Sequence, residues 1–379
     1  MCRQIISLRR FWHTACEQLA LVCRCESAIY SGYWLIGPWF TNPTTAGSIS
    51  VQNIVEPFTQ RAAARNGLIV YPEGTDTRIV EAAVELRNSG LSRAVLLGNP
   101  DAVAAVFDNL KLSPDGIRIL DIETSSELEG LQQKLLQKKP DMDPEKTAAM
   151  VRDPLYFGGA MVASGQADAM IAGAANATGK VISASLRTIG LTPGTRRLSS
   201  YFLMSVPNHR GGGRKDFLFA DCAVNIDPPA EDLAEIAMAT GKTAAKLLAE
   251  PAKIALLSFS TKGSAAHDSV TKVTDALAIV RELAPELSID GELQVDAALV
   301  PSVAERKVNS SAGVAGEANV LVFPDLNSGN IGYKLVQYMA NADAIGPFFQ
   351  GFDKPVCDLS RGCSVDDVVS AAVILMATA

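Results

Sequence analysis

The densest group of chemically capable residues in this sequence runs Asp358-Leu359-Ser360-Arg361-Gly362-Cys363-Ser364, with Asp367 one turn further on. A hydroxyl, a guanidinium and a helix start converge there, between a short β-branched strand and an amphipathic helix. Free N–H groups and the helix dipole favour an anion at such a junction, and a guanidinium adds a planar fork of donors. The same spacing has a structural reading. Ser364-x-x-Asp367 is a near capping box, with Ser364 as N-cap and Asp367 at N3.

Two further strand-to-helix passages carry polar loops. Phe323 to Lys334 holds Ser328, Gly329, Asn330 and Lys334. Gly329 lets backbone approach a ligand, and a helix is expected to begin near Asn330. Gly173 to Lys180 offers Asn176 and Thr178 as neutral donors, with Arg187 in the following helix; the alternative for Thr178 is a helix cap. Ligands of open α/β sheets collect at the carboxyl ends of strands, where these loops lie. Neither loop completes a nucleotide fingerprint, and no GxxxxGK[ST] occurs.

Other chemistries have little to stand on. The three histidines (His13, His209, His267) are not spaced with carboxylates as metal ligands. No GxSxG elbow is present. His267 reads as a solvated loop residue, and the basic stretch His209–Lys215 as a hairpin tip. Cys363 beside Arg361 is expected to have a lowered thiol pKa.

The elements that must position these residues follow an α/β alternation. Strands are expected at 68–71, 94–97, 117–120, 169–172, 254–257, 320–323 and 356–358. Helical periodicity is clear over 231–250, bounded by Pro228-Pro229 and Pro251, and over 364–377. Two strand-like runs, 201–206 and 217–220, flank Gly211-Gly212-Gly213 and predict an antiparallel hairpin. Pro193-Gly194 before it marks a domain boundary.

With 379 residues the chain has room for two domains. Its 34 basic and 41 acidic residues give a formal charge of −7, which argues against a broad nucleic-acid or anionic-membrane surface. No apolar run is long enough for a transmembrane helix. Seven cysteines, an odd number, fit reduced thiols in a cytoplasm better than a disulfide framework. All three tryptophans and four of these cysteines lie before residue 51, in a segment with only two acidic residues. Its Cys23-Arg-Cys25 lacks a second pair at metal-ligand spacing. Residues 1–50 are therefore expected to be a poorly ordered extension outside the fold.

Read together, the loops resemble the phosphate acetyltransferase family within the phosphate acetyl/butyryltransferase group. The matching stretches are Tyr71–Arg78, Asp153–Gly158, Gly173–Gly179, Arg187–Leu191, Phe219–Asp221, Phe323–Lys334 and Asp358–Cys363. FPDL-x-SGNIGYK together with DLSRG is highly specific. The resemblance implies reversible acetyl transfer between coenzyme A and inorganic phosphate, with coenzyme A as a substrate and no metal or redox cofactor. It implies a two-domain, three-layer α/β/α fold like that of isocitrate and isopropylmalate dehydrogenases, with the site in an interdomain cleft, and a homodimer. The domains are expected at 51–193 with 347–379, and at 194–346.

By position, the resemblance makes Ser360 and Arg361 the pair that holds phosphate and stabilises charge at the transferring acyl group. It makes Asp367 the base for the coenzyme A thiol. Asn176, Thr178, Arg187, Ser328, Gly329, Asn330 and Lys334 are the expected substrate-binding residues. Two positions depart from the family pattern: Ser183 and Gln137 stand where basic residues are common, with Arg187 and Lys138 the nearest replacements. A thiol of pKa ~8.5 is mostly protonated at neutral pH, so a positioned base is worth about 10²–10⁴ in rate. Two alternatives remain: a phosphate butyryl- or other acyltransferase with the same cleft, and a non-catalytic acyl-CoA-sensing domain.

Overall fold

The computed structural model describes residues 52–308 and 313–379. His13, the Cys23-Arg-Cys25 pair and the expectation of a poorly ordered extension over 1–50 lie outside the described residues. The chain enters through α1 (Gln52–Arg65) and then alternates: β1 (Leu68–Tyr71), α2 (Thr77–Asn88), β2 (Arg93–Leu97), α3 (Pro100–Leu110), β3 (Arg118–Leu120), α4 (Leu128–Lys138), α5 (Pro144–Met150), α6 (Pro154–Ala163), β4 (Ala169–Ala172) and α7 (Thr178–Thr188). A hairpin of β5 (Ser199–Val206) and β6 (Lys215–Ala220) interrupts the pattern. It resumes with α8 (Ala230–Leu247), β7 (Ile254–Leu257), α9 (Asp268–Leu283), β8 (Ile289–Leu293), α10 (Val295–Leu299), α11 (Pro301–Lys307), β9 (Val320–Val322), α12 (Leu326–Met339), β10 (Asp343–Gln350), β11 (Val356–Asp358) and α13 (Val365–Thr378).

Local chemistry explains where the helices start. Asp143 and Asp153 cap α5 and α6, accepting from the N–H groups of Lys146 and Leu155, and each is followed by a proline at the first helical position. Asn99-Pro100 does the same for α3. A short polar side chain satisfies an orphan donor there, and proline loses nothing at a position whose own N–H has no partner.

All seven expected strands occur, within a residue of their expected bounds, as does the hairpin. Two strands escaped the pattern. β10 contains Gly346-Pro347, which reads as a turn but is absorbed by a register shift between Ile345 and Phe348. β8 has the sequence IDGEL, whose Asp290 and Glu292 are buried but look like loop residues. Asp290 is matched by Lys262 and Arg281, and Glu292 accepts from Ser260 and Gly263. A third difference lies at the site itself. The helix expected near Asn330 begins at Leu326, because Asp325 accepts from Ser328 N at 2.8 Å and caps it one turn earlier.

The strands form one eleven-stranded sheet in the order β3-β2-β1-β4-β11-β10-β5-β6-β9-β7-β8. The first five are mutually parallel and the last four are too; β10 is antiparallel to both its neighbours, β11 and β5. Successive residues point to opposite faces, and the two faces are covered differently. Ile69, Ile171, Leu203, Leu218 and Ile254 join one core cluster with α1, α2, α3, α8, α9 and α13. The opposite face carries two separate clusters. Val70, Leu97 and Met170 pack under α4, α6 and α7, while Phe217, Phe219 and Leu321 pack under α10 and α12. The result is a three-layer α/β/α fold whose second layer is interrupted between α7 and α12. No helix of the described residues is long and apolar enough to cross a membrane.

Candidate active site

β4 and β11, far apart in sequence, lie side by side and parallel, with Asp358 paired to Ala172. The loops that leave their carboxyl ends, 173–177 and 359–364, are therefore neighbours. α12 faces them across the interruption in the helical layer. The space between is a groove of about 640 Å³, lined among others by Asn176, Thr178, Asn330, Lys334, Ser360 and Arg361, with Asp367 at its edge. Seven of the ten expected site residues thus meet in one place.

The 359–367 segment has the conformation its sequence suggests. Ser360 and Arg361 are exposed to the groove. Gly362 N donates to Ser360 Oγ at 3.3 Å. The capping box is real: Ser364 N donates to Asp367 Oδ2 at 2.8 Å, and Asp367 N donates to Ser364 Oγ at 3.1 Å. The structural reading of Asp367 therefore holds, and it leaves the side chain beside the groove.

The 173–177 loop is shaped by a residue whose role the sequence did not disclose. Glu73, 8% exposed, accepts from the backbone N–H groups of Gly173 (3.0 Å), Ala174 (2.8 Å), Ala175 (2.9 Å) and Asn176 (2.8 Å). It also accepts from Asn176 Nδ2 at 2.8 Å. A run of convergent amides is an anion site, and here the protein's own carboxylate fills it. Asn176 borders the groove, with its backbone N–H and one hydrogen of its side-chain amide committed to Glu73. Gly173 has φ +112°, and a Cβ there would strike Asp358 Oδ1 and sit 2.6 Å from Leu359 N, so only glycine fits.

Thr178 is not a cap. The N-cap of α7 is Ala177, and Thr178 Oγ1 donates to Asp358 Oδ2 at 2.5 Å. Asp358 is 1% exposed, and its pKa is pushed up to about 7, chiefly by burial and further by the charge of Glu73, against the lowering effect of the Thr178 bond.

Arg78 ties the loops together. Its Nη1 donates to the carbonyls of Arg361 (2.9 Å) and Cys363 (3.0 Å), and its Nη2 to Asp76 Oδ2 (2.7 Å) and the carbonyl of Ala174 (2.9 Å). Cys363 also departs from expectation. Its thiol pKa is raised, because burial outweighs the nearby cation, which is Arg78 rather than Arg361.

Three expected residues do not line the groove. Gly329 is buried, and a Cβ there would strike the carbonyl oxygen of Asp221; it brings α12 against the loop after β6. Ser328 donates to the Asp325 carbonyl at 2.9 Å within the first turn of α12. Arg187 is exposed on α7 and is not among the lining residues. Nor does Lys138 substitute for Gln137, since its Nζ is spent on the Ile189 carbonyl (3.0 Å) and Asp353 (3.1 Å). Ser183 lies 3.4 Å from the Tyr156 hydroxyl.

Elsewhere, His267 caps α9, its Nδ1 accepting from Ser269 N at 3.1 Å. His209 packs edge-on to Phe217 at the hairpin tip. Among the described residues no group of three or more His, Cys, Asp or Glu converges to hold a metal.

The groove and its loops are built from the sequence stretches of one known family. Residues 53–376 match the phosphate acetyl/butaryl transferase family. The chain belongs to it. The phosphate acetyltransferase of Thermoanaerobacterium thermosaccharolyticum is 44% identical over 319 residues, covering 84% of this chain and 96% of that protein. That of Acetivibrio thermocellus is 42% identical over 324 residues, covering 85% and 97%. A solved phosphotransacetylase from Streptococcus pyogenes superposes with a TM-score of 0.81 at 41% identity, covering 87% and 98%.

In this member of the transferase family the acidic residues of two matching stretches, Glu73 and Asp221, are buried anchors. Asp221 does at the end of β6 what Glu73 does after β4. It accepts from Ser200 Oγ and from the N–H groups of Ala223, Val224 and Asn225. The signal that could have found both is an acid inside an otherwise apolar strand-end motif, YPEG and FAD.

Proposed function

We propose that this member of the family transfers acetyl groups reversibly between coenzyme A and inorganic phosphate. The observation that carries the reading is the meeting of Ser360, Arg361 and Asp367 in one groove, on elements that share a family with phosphate acetyltransferases.

In the direction of thioester formation, Asp367 takes the proton of the coenzyme A thiol. Its Oδ2 is held by Ser364 N, which leaves Oδ1 for that proton. The thiolate sulfur then attacks the acetyl carbonyl carbon, the carbon–oxygen bond to phosphate breaks, and phosphate departs with both electrons. Charge developing on the acyl oxygen and the leaving phosphate falls near Ser360 and the Arg361 guanidinium, donors that line the groove. Lys334 and Asn330, on the groove face of α12, are the substrate contacts from the opposite wall.

On this reading, residues 51–193 with 347–379 and residues 194–346 are the two lobes beside the groove. The enzyme works in a cytoplasm, in keeping with the free thiols Cys222, Cys357 and Cys363. It acts as a homodimer, for which α12 offers the exposed apolar residues Leu335 and Met339 outside the groove lining; sedimentation of the purified protein tests this.

The deciding experiment mixes purified protein with acetyl phosphate and coenzyme A and follows thioester absorbance. Catalytic thioester formation is expected. Its absence, with tight coenzyme A binding, would favour an acyl-CoA-sensing role instead. Butyryl phosphate in the same assay separates acetyl from butyryl transfer, the two activities joined in the family's name. Removing residues 1–50 is expected to leave the rate intact.

A further inference from the structure

We infer that Asp358 and Thr178 form a proton-controlled donor, in which the buried carboxyl decides whether the threonine hydroxyl gives its hydrogen to the protein or to an anion in the groove. The inference deepens the reading of the groove as a phosphate site and rests on it.

Asp358 is 1% exposed. Its Oδ2 is 2.5 Å from Thr178 Oγ1, while its Oδ1 is buried with no hydrogen-bond partner, closed over by Gly173. A carboxylate in that position is poorly solvated and half satisfied, which favours the neutral acid. The Thr178 bond and the Leu359 amide favour the ionised form but do not restore the balance. Glu73, in the β1–α2 loop, is an anion that disfavours a second one. Arg78, at the start of α2, spends its guanidinium on Asp76 and on the carbonyls of Ala174, Arg361 and Cys363, not on Asp358. Cys357 on the same strand and Cys363 in the following loop are thiols held neutral by burial. β4 faces it with Ala172. On β10, Asp343 is raised first by burial and then by Asp367, not by Asp358, and from α13 Asp367 borders the same groove. The carboxyl titrates at about 7, so both protonation states are accessible near neutrality.

The two states present different hydroxyls. With Asp358 ionised, Thr178 donates to Oδ2 and shows only lone pairs to the groove, which repel a bound anion. With Asp358 protonated, Oδ2–H donates to Thr178 Oγ1, and the hydroxyl hydrogen is free to point at an anionic oxygen. The proton comes from solvent and stays on Asp358; none passes to the ligand. Anion binding above neutrality is then coupled to uptake of one proton. Asp358 is thus a positioning residue that acts through Thr178.

Sulfate is the probe, because it keeps its charge over the range in which inorganic phosphate itself titrates. Its binding to the whole protein is followed by calorimetry between about pH 6 and 9. Affinity is expected to fall with pH, approaching tenfold per unit above neutrality, the limit for one linked proton. Asp358→Asn, whose amide donates to Thr178 at every pH, is expected to abolish that slope. Thr178→Val should weaken binding and flatten the slope together, and Thr178→Ser should restore both. An unchanged slope in folded Asp358→Asn or in Thr178→Val would overturn the inference, as would the absence of sulfate binding at every pH. Should the Asn variant not fold, the two Thr178 variants decide alone. Failure of the acetyl-transfer reading would show differently, as missing thioester formation with the sulfate slope intact.

Discussion

Arg78 Nη1 donates to the main-chain carbonyl of Arg361 across 2.9 Å, so one arginine fixes the backbone of another whose own side chain faces the groove. Arg361 is thereby presented without being consumed. Replacing it by glutamine removes the charge and the fork geometry while leaving the backbone anchor in place. Arg361→Gln should raise the KM for phosphate, coenzyme A or both by about tenfold or more, with little change in melting temperature. Michaelis constants unchanged for both substrates would remove Arg361 from the binding site.

Asp367 allows base and cap to be separated. Asparagine keeps an oxygen able to accept from Ser364 N but cannot take up a thiol proton. Asp367→Asn should lower turnover by about two orders of magnitude or more, while stability changes by no more than about 1 kcal/mol. Steady-state kinetics beside a thermal melt reads both. Full activity in the asparagine variant would leave Asp367 a structural residue only.

Glu73 is the acceptor for five donors of the 173–176 loop. An amide in its place turns one acceptor oxygen into a donor facing N–H groups. Glu73→Gln should cost about 3 kcal/mol, visible as a lower denaturation midpoint, and should raise KM by loosening Asn176 and Thr178. A variant as stable as the parent would show that the loop holds its shape without the carboxylate.

Asp358 gives a pH signature in stability. Its pKa is raised from 3.8 to about 7 on folding, so the folded state binds the proton more tightly than the unfolded chain. The resulting penalty is absent at low pH, grows between about 4 and about 7, and is complete above that window, on the order of a few kcal/mol. Asp358→Asn carries no such penalty. Its stability relative to the parent should therefore rise between about pH 5 and pH 8, as read by denaturant unfolding. A difference that stays constant with pH would mean that Asp358 does not titrate in this range.

The strands of the fold were legible because short apolar runs such as Leu68–Tyr71 and Ile254–Leu257 are buried on both faces and read as apolar blocks. β8 and β10 were not, since their Asp, Gly, Glu and Pro residues are reconciled with a sheet only by partners distant in sequence. At the site, Ser360, Arg361 and Asp367 were legible because strand, loop and helix cap are all local. The roles of Glu73, Arg78 and Asp358 were hidden. Each depends on the adjacency of β4 and β11 or on loops brought together by it, which no short window of sequence contains. The same holds for Gly329, whose place against Asp221 is a contact between α12 and the end of β6.

The position of β11 between β4 and β10 has a consequence for synthesis. A nascent polypeptide that has reached only β10 holds a sheet with an empty slot at its middle, and the strand that fills the slot also delivers the groove's serine and arginine. Ribosome-stalled or prematurely terminated products should accordingly be inactive and present raw strand edges to chaperones.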